Sequence, residues 1–351
     1  MKRKIFYSFL IISILLGVWQ YELISYGLMQ ARGQLNILRT AKPIKEVMED
    51  TNFPDSLKSK LLLIKEIKKF AIDSLEILPS GSYEKFYDQA DKPILWTLTA
   101  CPPFSLHAKQ WCFPLIGCFS YKGFFEYEKL VKEEKELKLQ GFDTEIDEVS
   151  AWSTLGYLND PVLSSMLRRN VGSLANLIIH ELTHGTLFIK DDLTYNENLA
   201  NFVGNEGAIR FLKYKYGANS PELQKYALAR ADRAVLNHFL LQSAQKLEAL
   251  YQSFEVRGND KRLPAKAMTE KEKMKLKNEC IKSIVLACDT LHFQDNTFKN
   301  YFENYTPNNA FFIGFLTYNE QQNTFEDEFK NKFESDFKKY MTYLKGKYSS
   351  L

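Results

Sequence analysis

The sequence predicts an α+β protein, mostly helical with a small mixed sheet, and three observations lead there. Apolar residues recur at helical intervals over long stretches towards both ends of the chain. Between residues 93 and 149 the period changes, and short segments rich in aromatic and β-branched residues read as strands. Between these regions, residues 173–208 hold a strongly apolar helix, and charged and imidazole side chains are set into it at helical spacing. With 351 residues, 45% hydrophobic and 14% aromatic, the chain can bury a sizeable core as one catalytic domain with helical additions. A formal net charge of +3 is too small to point to nucleic acid. The lysines of residues 261–277 alternate with glutamates and apolar residues, as on a solvated helix face, so no nucleic-acid partner is expected.

Met1-Lys2-Arg3-Lys4 precedes a run from Ile5 to Trp19 without a charge. A basic end followed by such a run is an export signal. No Ala-x-Ala site follows it, so residues 1–24 are read as an uncleaved signal anchor in preference to a removed signal peptide. Trp19 and Tyr21 would sit at the far interface, and residues 25–351 form the folded domain. The membrane partner expected is the cytoplasmic membrane, with the domain on its outer side.

Residues 28–38 have helical spacing, and Pro43 stops or restarts that helix. A second amphipathic helix spans 57–78 and ends at Pro79-Ser80-Gly81-Ser82. Strands are expected at 93–100, 119–125 and 144–149, with a charged helix at 128–139 closed by Gly141. Beyond residue 200 the second helix of the central region runs to Gly217, and a long helix covers 221–254. A helical hairpin partner follows at 268–289, and Asn308 caps a last helix.

Cys112 and Cys118 flank a turn, and in an exported chain a disulfide is the first reading of that spacing. A second zinc site is the alternative, and it would have to recruit Cys101 and His107. Cys280 and Cys288 lie about 12 Å apart along an expected helix, too far to bridge. They are read as buried thiols.

The centre of the sequence is His180-Glu181-Leu182-Thr183-His184. Residues four apart lie roughly 40° apart on a helix, so His180 and His184 can hold one ion together. Two neutral imidazoles suit zinc, and a catalytic zinc takes three protein ligands with a fourth position left for water. Glu181 is turned by roughly 100° from His180, beside that water, where a general base belongs. Lys190-Asp191-Asp192 breaks the helix, Thr194 can cap the next, and Glu197 on its first turn can reach back as third ligand. Asn201, one turn on, could bond a ligating histidine. Glu206 lies on the opposite face. The competing account is a helix with two satisfied histidines. It leaves Glu181 unexplained, because a lone carboxylate among Leu, Ile and Phe is costly.

Five groups of residues together resemble the "putative aminopeptidase" family of Gram-negative bacterial envelopes. They are Trp111-Cys112-Phe113-Pro114 with Gly117-Cys118, Ser153-Thr154-Leu155-Gly156-Tyr157 with Asp160-Pro161, the pentapeptide, Asn196-Glu197, and Asn308-Asn309-Ala310. The resemblance implies a zincin-like, gluzincin-type metallopeptidase that acts on peptides with Zn2+ as cofactor. It implies a sheet beside the two metal-site helices, with an edge strand that binds substrate. It also places the loop carrying Tyr157 near the cleft, although the residues alone read Tyr157 as a core aromatic. Family members that carry a lipoprotein cysteine differ from this chain, whose first cysteine is Cys101. Such enzymes need a donor for the oxyanion, and Tyr305, Tyr318 and Asn309 are the candidates, with core packing the alternative. The rival function is a non-catalytic envelope protein whose metal is a structural staple or whose helices meet a partner. A closed structural site needs no spare carboxylate, so Glu181 separates the two.

Overall fold

A computed structural model describes residues 20–113, 117–149, 158–190, 192–259 and 268–348. The expected anchor run, Tyr157 and the turn at 114–116 lie outside the described residues. Among the described residues no helix is long and apolar enough to cross a membrane.

The described residues open with helix α1 (Tyr21–Thr40) and the short strand β1 (Lys42–Pro43). Helix α2 (Ile44–Glu49) restarts after Pro43, and α3 (Asp55–Ser74) follows. The α3 helix stops four residues short of the expected end. Glu76 adopts a left-handed φ of 59°, a conformation no helix can contain. Strands β2 (Lys85–Tyr87), β3 (Trp96–Cys101), β4 (Trp111–Phe113), β5 (Gly117–Phe119) and β6 (Tyr121–Phe124) come next. Helix α4 (Tyr127–Leu139), strand β7 (Asp143–Glu148), strand β8 (Val162–Leu163) and a 3-10 turn (Ser164–Arg168) then lead to helix α5 (Val171–His184). Among the described residues six α-helices follow: α6 (Leu193–Tyr216), α7 (Pro221–Asn259), α8 (Glu270–Cys288), α9 (Asn309–Asn319), α10 (Gln322–Phe333) and α11 (Phe337–Lys347).

The strands form three small sheets among the described residues, where one was expected. β1-β2-β8 is mixed, β6-β3-β7 is antiparallel, and β4-β5 is a hairpin. Cys112 and Cys118 face each other across this hairpin and are joined as a disulfide.

The β6-β3-β7 sheet has two covered faces. Leu98 and Ala100 point to one side, where they pack with Phe124, Leu130, Leu137 and Met29 of α1. Thr97, Thr99 and Cys101 take the other side by the alternation of a strand, and there Cys101 packs on Ala310 and Ile313 of α9. Residues directly opposite across a ladder share a face. Tyr121 and Glu145, both opposite Thr99, therefore look towards α9, as does Asp143 opposite Cys101. A buried knot fixes α9 there. Asn309 is fully buried and donates to the carbonyls of Pro102, Pro103 and Ser105 while accepting from the Tyr251 hydroxyl. Asp143 takes the Asn309 N–H and the ammonium of the buried Lys277.

The largest core surrounds α5, which is buried on nearly every side and packs on α3 and α6. Asn170 caps it by accepting from Ser173 N. Two glycines let α6 approach closely. A Cβ on Gly204 would lie 2.9 Å from the Asn176 carbonyl oxygen and 3.2 Å from His180 Cβ, and one on Gly207 would lie 2.9 Å from Ile179 and Leu75.

Gly204→Ala should therefore lower stability by roughly 1–3 kcal/mol, the usual cost of overpacking. Gly314, also helical, has nothing within 4 Å of its would-be Cβ, and Gly314→Ala should be neutral or stabilising by up to about 1 kcal/mol. Denaturant unfolding of the two variants checks the pair, and equal midpoints would refute the close-packing account. Peptide mass spectrometry without reductant should recover Cys112 and Cys118 as one linked pair, and free thiols at both would contradict it.

Candidate metal centre

The His180 and His184 rings leave the last turn of α5 on one face and meet edge to face, with centroids 4.9 Å apart and an interplanar angle of 83°. Their Nε2 atoms are 3.2 Å apart. Glu197 Oε2 completes a triangle, 3.3 Å from His180 Nε2 and 3.7 Å from His184 Nε2. All three residues are buried. Among the described residues they form the one group of histidine, cysteine or carboxylate side chains gathered closely enough to hold a metal ion.

The local sequence explains how Glu197 gets back to the histidines. The turn after α5 is clamped by Asn196, whose amide donates to the Ile189 carbonyl and accepts from the Ile189 N–H. Asp192, not Thr194, caps α6 by accepting from Tyr195 N; the carboxylate sits at the residue just before the first helical one, where an N-cap acts. With Asn196 facing the turn, the next residue faces α5. Asn198 then donates to the Thr194 and Thr317 carbonyls and accepts from Gln321 N, which bolts α6 to α9.

Three lone-pair donors in a buried triangle repel unless a positive charge sits among them. Burial works against a charged His184, but the Glu197 carboxylate beside it prevails and raises its pKa. Burial likewise works to raise Glu197, and the His184 charge with hydrogen bonds from both rings holds it well below the carboxylate range. The triangle also passes a test of fit. Ligands at about 2.1 Å from a tetrahedral ion stand roughly 3.4 Å apart, close to the three distances found. On the far side of its ring, His184 Nδ1 is buried with no hydrogen-bond partner among the described residues, so packing holds this ring.

Glu181 is partly exposed, and its charge acts on His184, Tyr121 and Tyr318. It lines a cleft of about 170 Å³ with Leu78, Ser80, Ser82, Tyr83 and Asp160. It is thus within electrostatic reach of the triangle without belonging to it, and none of the three triangle residues lines that cleft.

The other expected residues separate. Tyr318, on α9, is 39% exposed, and desolvation and then the Glu197 charge raise its pKa well above the usual phenol value. Asn201 donates to the Tyr318 carbonyl at 2.8 Å rather than to a histidine ring, so it positions α9 instead of a ligand. Tyr305 donates to Glu145 at 2.6 Å, and the charges acting on it are Glu145 and Asp147, away from the triangle. Asn309 is spent on the buried knot beneath α9. Glu206 pairs with Arg210 and Arg230. Tyr121 was not among the expected residues. Desolvation first, then the charges of Glu197 and Glu181, raise its pKa, and the two carboxylates that act on it also act on Tyr318. Alternation puts Tyr121 opposite Thr99, but the sequence gives no sign of which sheet face meets the metal helices.

Comparisons with the curated proteins and with the solved structures returned no match. The model of one family, described as "Putative aminopeptidase", matches residues 25–347. That span holds every described element from the body of α1 to the end of α11, with the His180, His184 and Glu197 triangle at its centre, and the chain belongs to this family.

Proposed function

We propose that the protein is a zinc-dependent peptidase acting in the periplasm as an aminopeptidase, held at the cytoplasmic membrane by its N-terminal segment. The observation that carries this reading is the buried triangle with a carboxylate beside it that is not one of its corners. A structural ion site would be closed by a fourth ligand, whereas three ligands and a free Glu181 suit hydrolysis. The periplasmic placement draws on the basic and apolar residues 1–19 and on a disulfide, which persists in oxidising compartments.

His180, His184 and Glu197 would hold zinc, which when bound supplies Lewis acidity towards water and the peptide carbonyl. The chain's own residues do the rest. Glu181 accepts a proton from the attacking water and returns it to the departing amine. Tyr318 and Tyr121, kept protonated by their surroundings, can each donate a hydrogen bond to the oxygen on which negative charge develops. Tyr318 has the firmer support, because Asn198 and Asn201 of the ligand helix both grip its segment of α9.

Glu181→Gln should keep fold and zinc content while hydrolysis falls by roughly 10² or more, the scale of general-base catalysis. His184→Ala and Glu197→Ala should lose the metal. Metal analysis and a peptide-cleavage assay on the three variants decide the matter. Full activity in Glu181→Gln would end the mechanism, and unchanged zinc in Glu197→Ala would move the third ligand elsewhere. Peptides with free N-termini should be cleaved and their N-acetylated counterparts spared. Equal cleavage of both would make the enzyme an endopeptidase.

A further inference from the structure

Helix α1 has one face committed to the domain and another that no described residue covers. On the committed face Tyr26 and Gln30 both donate to the Gly123 carbonyl of β6, Met29 and Ile37 are buried, and Gly33 lies against the Phe125 ring. On the opposite face Tyr21, Ile24, Leu28 and Leu35 are 69%, 47%, 55% and 48% exposed. They recur at intervals of three, four and seven residues, which keeps them in one stripe along the helix. Arg32 and Arg39, both exposed, each follow a stripe leucine by four residues and flank it. The sole acid of α1, Glu22, is turned roughly 100° from Tyr21.

We propose that this stripe lies in the headgroup region of an anionic phospholipid surface, with α1 running along the membrane as an interfacial helix. Four large apolar side chains in line, flanked by arginines and free of acids, have the composition of such a face. The chain ahead of α1 names the occupant. Three basic residues and a run with no charge from Ile5 to Trp19 end one residue before the described chain begins, so the bilayer expected to take that run adjoins the first turn of α1. A second copy is the less suitable occupant, because the flanking Arg32 and Arg39 would face a partner helix with only Glu22 to offer them. The proposal rests on the membrane-anchored reading above and adds to it an orientation. Through Tyr26 and Gln30 the lipid-facing helix is bonded to β6, the strand that carries Tyr121. Helix α1 packs on the Leu98 and Ala100 face of the sheet, and Tyr121 looks to the other face, so the sheet stands between the lipid surface and the ligand triangle.

The test uses the full chain in vesicles of phosphatidylethanolamine and phosphatidylglycerol. A photoreactive benzophenone side chain is placed in turn at Ile24, Leu28 and Leu35, and at Thr40 as the off-stripe control. Mass spectrometry after irradiation should find phospholipid adducts at the three stripe positions at least ten-fold above Thr40. Arg32→Gln with Arg39→Gln should lower the adduct at Leu35 several-fold. Vesicle-bound protein without lipid adducts at Leu28 and Leu35, or with adducts to a second copy, overturns this proposal and leaves the anchor standing. Protein that washes off the vesicles in high salt overturns both.

Discussion

The candidate centre depends on how closely two helices approach. Glu197 can join His180 and His184 only if the axis of α6 comes within reach of the last turn of α5, and any side chain between them would hold it away. Gly204 and Gly207 remove that side chain where it matters, one over the Asn176 carbonyl and His180, the other over Ile179 and Leu75. The apolar surface of α5 then drives the two helices together. Charge works in the opposite sense. A carboxylate and two imidazoles are gathered where water cannot screen them, at a cost that a cation among them offsets. Packing thus holds the residues in an arrangement that their own electrostatics would otherwise resist.

Polar residues settle what packing leaves loose. Asparagine is used repeatedly, at 196, 198, 201 and 309, and each time its amide bonds backbone groups of another segment or turn. A short side chain with both donor and acceptor suits this, since it can close two backbone valences without bringing a charge. Three of the four stand around Glu197 on α6. The ligand helix therefore carries its own fastenings to the turn before it and to the helix that supplies Tyr318.

What could be read in the sequence was whatever one helix determines by itself. The spacing of His180 and His184 and the return of Glu197 follow from local geometry, and so do most helix boundaries, although α5 ends at His184 and not at Lys190 as expected. Asn201, Tyr305 and Asn309 show where that reading stops. Each is a polar residue in a helical region, and nothing in its neighbourhood in sequence says whether it turns to the cleft or to a distant carbonyl. Asn309 finds its partners at Pro102, Pro103, Ser105 and Tyr251, and Tyr305 finds Glu145. Tyr121 was missed for the converse reason, because its role depends on which face of a three-stranded sheet α9 covers. The division of the strands into three sheets was hidden likewise, since pairing partners are set by tertiary contacts and not by the strand pattern.

The ligand triangle and the phenols differ in how far apart along the chain their parts lie. His180, His184 and Glu197 come from one helical hairpin, so closing the triangle forms a loop of fewer than twenty residues. The bonds that bring Tyr318 to it span 119 and 117 residues, and Tyr121 arrives from the other side of the sequence. Loop-closure entropy grows with the logarithm of that separation, and contacts between remote segments form late in folding. The ligand triangle is thus a local arrangement, whereas the cluster of phenols around it is a property of the finished tertiary structure. A growing chain would gather the three candidate ligands before it could bring Tyr318 to them.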